Sequence, residues 1–194
     1  TATKAPITSA DYKPRATVKA VYDQVIADLI KAESLMPSTN SKFATKWAAA
    51  AQLSRVYLAM QNYTAAAAAA DRVIAGSGKT LTPEYKNNWF TYINFGGVTP
   101  NEYIFYIKVS NQDGTNSLNT YYGRTISGIT GSAGRSDMKI QAAHLTNYES
   151  TDVRRAFFVI SGGNRYTQKH LDRFGDVPVI RLAEMYLTRA EANF

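Results

Sequence analysis

Apolar positions recur at steps of three and four over the first third of the chain and lose that spacing in the middle. From Thr17 to Met36 they fall at Val18, Val21, Tyr22, Val25, Ile26, Leu29 and Ile30, one stripe of a helix, and Pro37 with the polar run behind it ends the element. A second helix is expected over 45–60, with Trp47, Ala50, Ala51, Leu53, Val56, Tyr57 and Met60 on its buried side and Gln61 and Asn62 as the break. A third is expected over 64–75. It is nearly all alanine before Val73 and Ile74, so a neighbour can approach closely, and Gly76 supplies the stop. Helix, short turn and Ala-rich helix make an αα-hairpin, the repeating unit of α-solenoids.

Beyond Leu81 the texture changes. Glu102 to Val109 is rich in β-branched and aromatic residues and predicts a short strand. Residues 110–163 hold seven of the twelve glycines and predict loops, with a short helix within 136–148 and a further short strand around 165–169. Asp176-Val-Pro178 is expected to open a last helix that runs to Phe194 without a Gly or Asn cap. The predicted fold class is therefore mainly α: TPR-like helical hairpins (an α-α superhelix) with a loop-rich insert and a few short β-strands. Along the chain this divides into an extended lead-in at 1–16 and a remainder of one domain, 17–194. Within that domain TPR-like helices span 17–75, the loop-rich insert spans 76–175, and 176–194 starts the next TPR-like helix.

Composition narrows the function. With 45% apolar and 19% charged residues in 194, the chain is no highly charged disordered polymer. No apolar run approaches the ~20 residues of a membrane span. The absence of cysteine excludes disulfides, thiolate metal sites and cysteine nucleophiles. A net charge of +7 raises the question of nucleic acid. The basic residues are scattered, however, and interrupted by Asp11, Asp23, Asp152, Asp172 and Asp176, so no nucleic-acid partner is expected. The chain begins without Met or a basic and apolar leader, and its last helix stops uncapped; it is expected to be a central piece of something longer.

Few residues suggest catalysis. Gly76-Ser-Gly-Lys-Thr80 resembles the end of a phosphate loop, but Val73 stands where that pattern needs glycine, and a helix rather than a strand precedes it. His144 and His170 lack a second ligand at helical spacing, and Gly131-Ser-Ala-Gly134 falls one residue short of a nucleophile elbow. No catalytic residue, metal or cofactor is expected. Thirteen tyrosines are the unusual count. Tyr57, Tyr63 and Tyr186 occupy helix-packing positions and are expected in the core. Tyr85, Trp89, Phe90, Tyr92 and Phe95 lie near the first strand, with Phe90 expected to be buried. Tyr121, Tyr122 and Tyr166 lie in Gly-, Ser- and Asn-rich loops with Asn119, Arg124 and Asn164 close by. Such rings either recognise a ligand or plug the loops onto the scaffold. In an extended segment Tyr121 and Tyr122 point to opposite faces, so only one is expected to meet a ligand. Trp89 is a further ligand-binding candidate. On the last helix Arg181 and Glu184 are expected to pair, or to bond neighbouring backbone carbonyls, and with Glu191 to serve structure rather than binding.

Two segments carry a family resemblance. Lys46 to Tyr85 combines an Ala-rich entry, Arg55-Val-Tyr-Leu58, a short turn, Tyr63, a second Ala-rich helix and Ala70-Asp-Arg-Val-Ile74 before a Gly-containing turn. Asp176 to Ala192 carries a proline, then Arg181-Leu-Ala-Glu-Met-Tyr-Leu187, then Ala190-Glu-Ala192. Asn101-Glu-Tyr-Ile-Phe105, Asp152-Val-Arg-Arg155 and the region 15–37 with Tyr22, Asp28, Leu29 and Ala32 lie in matching order. Together these resemble SusD/RagB-type outer-membrane nutrient-binding lipoproteins. The resemblance implies a surface-exposed protein of Bacteroidetes that binds starch- or other polysaccharide-derived oligosaccharides, occasionally peptides, and delivers them to a SusC-like TonB-dependent transporter. It implies no enzyme, and membrane attachment only through a lipid anchor outside this chain. It also implies that sugar contacts come largely from the loops between the helical hairpins. A TPR-type module that binds a protein or peptide is the alternative.

Overall fold

In the computed structural model, which describes residues 8, 9, 12, 14–40, 43–89, 98–126 and 132–194, the periodic first third forms three helices: α1 (Val18–Leu35), α2 (Lys46–Ala59) and α3 (Tyr63–Gly76). The starts of α1 and α3 have local causes. The Thr17 hydroxyl accepts from the Ala20 amide at 3.2 Å, and the Asn62 side chain accepts from the Ala65 amide at 3.3 Å. Alanine is what lets α2 and α3 touch: Ala50, Ala51, Ala66, Ala69 and Ala70 are fully buried, with Val73 beside them.

That close approach also corrects three expectations. Tyr57 is only half-buried, and Tyr63 and Tyr186 are exposed, because helices set together by alanine leave no room for a tyrosine ring between them. The stripe of α1 lies against α2 without burying any residue fully, and Val18, Val21 and Ile30 stay exposed. Glu191 is exposed as well. Phe90, Tyr92 and Phe95 lie outside the described residues.

Gly76 closes α3 for a reason other than a left-handed cap. A Cβ there would sit 2.3 Å from Cη2 of Trp47. Alanine at this position would gain up to about 1 kcal/mol of helix propensity. Displacing the Trp47 ring costs more, about 1–3 kcal/mol for overpacking. Gly76→Ala is therefore expected to lower the melting temperature and shift the tryptophan emission. Unchanged values of both would mean that Trp47 moves aside freely.

The insert holds more structure than its composition suggests. β1 (Tyr103–Ile107) forms as expected. Ser117–Tyr122 is a short helix, α4, in place of the extended segment expected there, and Asn116 caps it by accepting from the Asn119 amide at 2.9 Å. The helix expected within 136–148 shrinks to one 3-10 stretch, Ala142–Asn147. β2 (Phe158–Ser161), not anticipated, pairs antiparallel with β3 (Asn164–Thr167), which lies near the strand expected at 165–169. Gly162 and Gly163, at φ 55° and 75°, make the tight two-residue turn between them.

The last helix starts later than Pro178 predicts. Residues Val177–Arg181 are a strand, β4, antiparallel to β1, with Tyr103 opposite Arg181 and Ile107 opposite Val177. Proline is tolerated there because a two-stranded sheet leaves each strand one edge that needs no N–H. α5 (Leu182–Ala192) follows, its first amide donating to the Glu102 carbonyl at 2.9 Å. Asn193 does cap its end, the side-chain amide donating to the Arg189 carbonyl at 2.8 Å.

Arg181 and Glu184 do not pair with each other. Arg181 has extended backbone, so its side chain is not on the helix face that carries Glu184. It reaches Glu102 at 3.2 Å instead. Glu184 takes both arms of Arg55, whose second arm also donates to the Val179 carbonyl at 2.7 Å. The core sits where α2, α3 and α5 meet the β1–β4 pair. It is built from Ala50, Ala51, Ala70, Val73, Ile104, Ile180, Leu182 and Met185. The chain is thus mainly helical with short antiparallel strands, consistent with an α-solenoid.

Candidate ligand-binding site

Asn119 organises the insert. It lies in α4 with no exposed surface. Its amide nitrogen stands 2.7 Å from the His170 carbonyl, 3.1 Å from that of Ala133 and 3.2 Å from that of Leu171. One side chain therefore gathers α4, the 132–135 segment and the 170–171 segment. Beside it the chain crosses itself at Gly123 and Gly134: a Cβ on Gly134 would fall 2.1 Å from the Gly123 carbonyl carbon. Asn119 is a fastener beneath the surface rather than a group on it.

Two ring–guanidinium pairs stand on this fastener. Tyr121 is 46% exposed, with the Arg135 guanidinium 5.5 Å from its ring centre. Arg124 is opposite Arg135 in a single antiparallel bridge. Its own guanidinium lies 4.9 Å from the Tyr166 ring and donates to the Ser161 hydroxyl. Tyr166 is buried in β3. Asn164, half-buried at the hairpin tip, donates to the Gly162 carbonyl at 3.3 Å. The structure thus links Tyr121, Arg124, Tyr166 and Asn164 through Arg135 and the β2–β3 hairpin, with Asn119 anchoring α4 below.

Tyr122 and Trp89 belong to a different group. Consecutive residues of a helix diverge by about 100°. Tyr122 is half-buried, its ring 5.6 Å from that of His170. The row continues from His170 to Trp89 at 6.2 Å, to Tyr85 at 6.1 Å and on to Phe157 at 5.0 Å. Lys169 and Arg181 set their charges 4.9 and 5.2 Å from the Trp89 ring. Burial, and then the Lys169 charge, hold the His170 pKa below its ordinary value, so the ring is neutral at neutral pH. At the Phe157 end a cavity of about 500 Å³ opens, lined by Pro83, Tyr85, Val153, Phe157 and Gln168 among others.

Arg135 carries no signal in the sequence, because the bridge at 124 and 135 is what sets it beside Tyr121. His170 has a signal, an aromatic neighbourhood, that metal or triad chemistry does not use. Among the described residues no three His, Cys, Asp or Glu side chains converge to hold a metal ion, and no helix is long and apolar enough to cross a membrane. A half-exposed ring with a guanidinium beside it suits a flat ligand with an apolar face and hydroxyl edges.

Residues 1–58 match a SusD-like family model described as starch-binding, associating with outer membrane. A SusD superfamily protein from Bacteroides thetaiotaomicron VPI-5482 is similar along almost the whole chain. The match has a TM-score of 0.72 at 26% identity, over 98% of this chain and 46% of that one. By these two matches the chain is similar to SusD-type proteins, in sequence over residues 1–58 and in fold over nearly its whole length. It spans about half the length of the solved SusD-type structures it matches. A laminarin-binding SusD-like protein has the same fold, with a TM-score of 0.75 at 22% identity over 97% of this chain and 53% of that one. A structure with xylogluco-oligosaccharide matches at 0.73 and 20% identity, over 90% and 45%. No curated protein matches the sequence.

Proposed function

We propose that this SusD-type chain captures oligosaccharides at the bacterial cell surface for delivery to a SusC-like TonB-dependent transporter. It binds them without chemical change. The observation that carries this reading is the half-exposed Tyr121 ring beside the Arg135 guanidinium, itself held by Asp137 at 3.0 Å, on a fastened loop platform. The match of residues 1–58 to a SusD-like family model supports it, and so does the shared fold of a laminarin-binding SusD-like protein and of a structure with xylogluco-oligosaccharide. The same family-model match supports an outer-membrane lipoprotein facing outward, attached through a lipid anchor outside these residues. In this reading α2 and α3 form a TPR-like hairpin, the next such unit starts with α5, and the insert between them presents the ligand site.

Tyr121 covers the apolar face of a sugar ring while Tyr122 holds α4 down on His170. Arg124, Arg135 and Asn164 pair with hydroxyls, each of which would cost about 1–3 kcal/mol if buried unpaired. A glycan array on the full-length protein, followed by calorimetry with the best glycan, tests this. Tyr121→Ala is expected to weaken binding by about 1 kcal/mol, near fivefold, with the melting temperature unchanged. Wild-type affinity in that variant would move the site elsewhere. A peptide bound in place of any glycan would overturn the reading in favour of a protein-interaction module.

A further inference from the structure

A second cleft, of about 230 Å³, lies between the α1–α2 connection, the turn after α3 and strand β1. Phe43, Phe105 and Tyr106 supply its rings, and Ser77, Asn101 and Lys79 its polar groups. Phe43 is 76% exposed, an open ring at the rim. Among the described residues no Asp or Glu lines it. Lys108 also lines the cleft, but Asp176 neutralises it at 3.2 Å. Lys79 differs. It is half-buried, and among the described residues no carboxylate pairs with it. Lys79 belongs to the Gly-Ser-Gly-Lys-Thr stretch, whose Gly76 packs on Trp47 while Lys79 itself serves neither the core nor the Tyr121 site.

We propose that this cleft is a second saccharide subsite, taking one sugar unit that carries a carboxylate, as a uronic acid does. The ring lies against Phe43 or Tyr106, the carboxylate meets Lys79, and Asn101 and Ser77 take hydroxyls. The volume is below that of pockets enclosing drug-sized ligands, which fits a single unit. Burial lowers the Lys79 pKa because its charge is stranded away from water, and an incoming carboxylate relieves that cost with a charge-assisted hydrogen bond. That the ligand is a sugar rests on the glycan-binding reading; that it is an anion rests on Lys79 alone.

The test titrates the full-length protein with a panel of gluco-, galacto- and mannuronate oligosaccharides and with their methyl esters, which keep the scaffold and lose the charge. The wild type is expected to bind at least one acid about tenfold or more tighter than its ester. The preference should shrink as salt rises and vanish in Lys79→Gln. Phe43→Ala should weaken acid and ester alike, and Tyr121→Ala should leave the preference intact. Equal affinity for every acid and ester, or a preference that survives Lys79→Gln, overturns the subsite and leaves neutral glycan capture standing. Failure of the whole neutral array as well brings down the parent reading.

Discussion

Replacing Asn119 with alanine is expected to lower stability by about 2 kcal/mol or more, since the His170 and Ala133 carbonyls lose its amide and each buried acceptor left alone costs about 1–3 kcal/mol, while the Leu171 carbonyl keeps the Ala133 backbone amide at 3.1 Å. The contacts come from three segments of the insert, so their loss loosens all three together. Asn119→Asp is the sharper probe. It keeps the shape but turns a carboxylate toward three carbonyl oxygens, and it should be worse than alanine. Denaturant midpoints rank the variants. Asn119→Ala within about 1 kcal/mol of the wild type, or Asn119→Asp more stable than Asn119→Ala, would show that water or a shifted backbone satisfies those carbonyls. Loosening should reach the surface too, because Tyr121 stands two residues further along the same short helix.

Glu102→Ala should be comparably severe. The Glu102 carboxylate is 2% exposed and accepts from the Thr82 amide at 3.0 Å, the Asn88 side chain at 3.1 Å and Arg181 at 3.2 Å. Removing it strands a half-buried guanidinium and two donors, in the range of about 3–5 kcal/mol for a broken buried pair. Tyr103 adds to the same knot by donating its hydroxyl to the Asn88 carbonyl, and burial pushes its pKa up. Arg181→Met should cost less, since Glu102 keeps two of its donors and methionine restores apolar volume. Glu102→Gln should fall between the wild type and alanine. Arg181 also lies against Trp89, so both arginine and glutamate variants should change tryptophan emission. A fall in glycan affinity with stability unchanged would contradict the structural role.

What the sequence carries best is what the chain does within a few residues of itself. The 3.6-residue period of α1 to α3 and the alanine faces of α2 and α3 are local and legible. β4 is not, because Asp176-Val-Pro178 satisfies the local rules for a helix start while its pairing partner lies some seventy residues back. The β2–β3 hairpin was available in principle: Gly162-Gly163 stands between Phe158-Val-Ile160 and Tyr166, but the surrounding glycine richness hides it. The candidate site divides the same way. Residue types near Tyr121 are plain in the sequence. That Asn119 faces inward, and that Arg135 covers Tyr121, depend on contacts between segments that no local pattern encodes.

The β1–β4 pairing also sets an order of events during synthesis. Ile107 and Ile180 leave the ribosome roughly 4–15 s apart at about 5–20 residues per second. In that interval α2 and α3 can close on each other, since their contacts are local and form fast. The sheet and the floor of the core, Ile180, Leu182 and Met185, have yet to arrive. The nascent chain therefore waits with one face of its hairpin open. Alanine softens the hazard, because a face of methyl groups offers little to a passing chain.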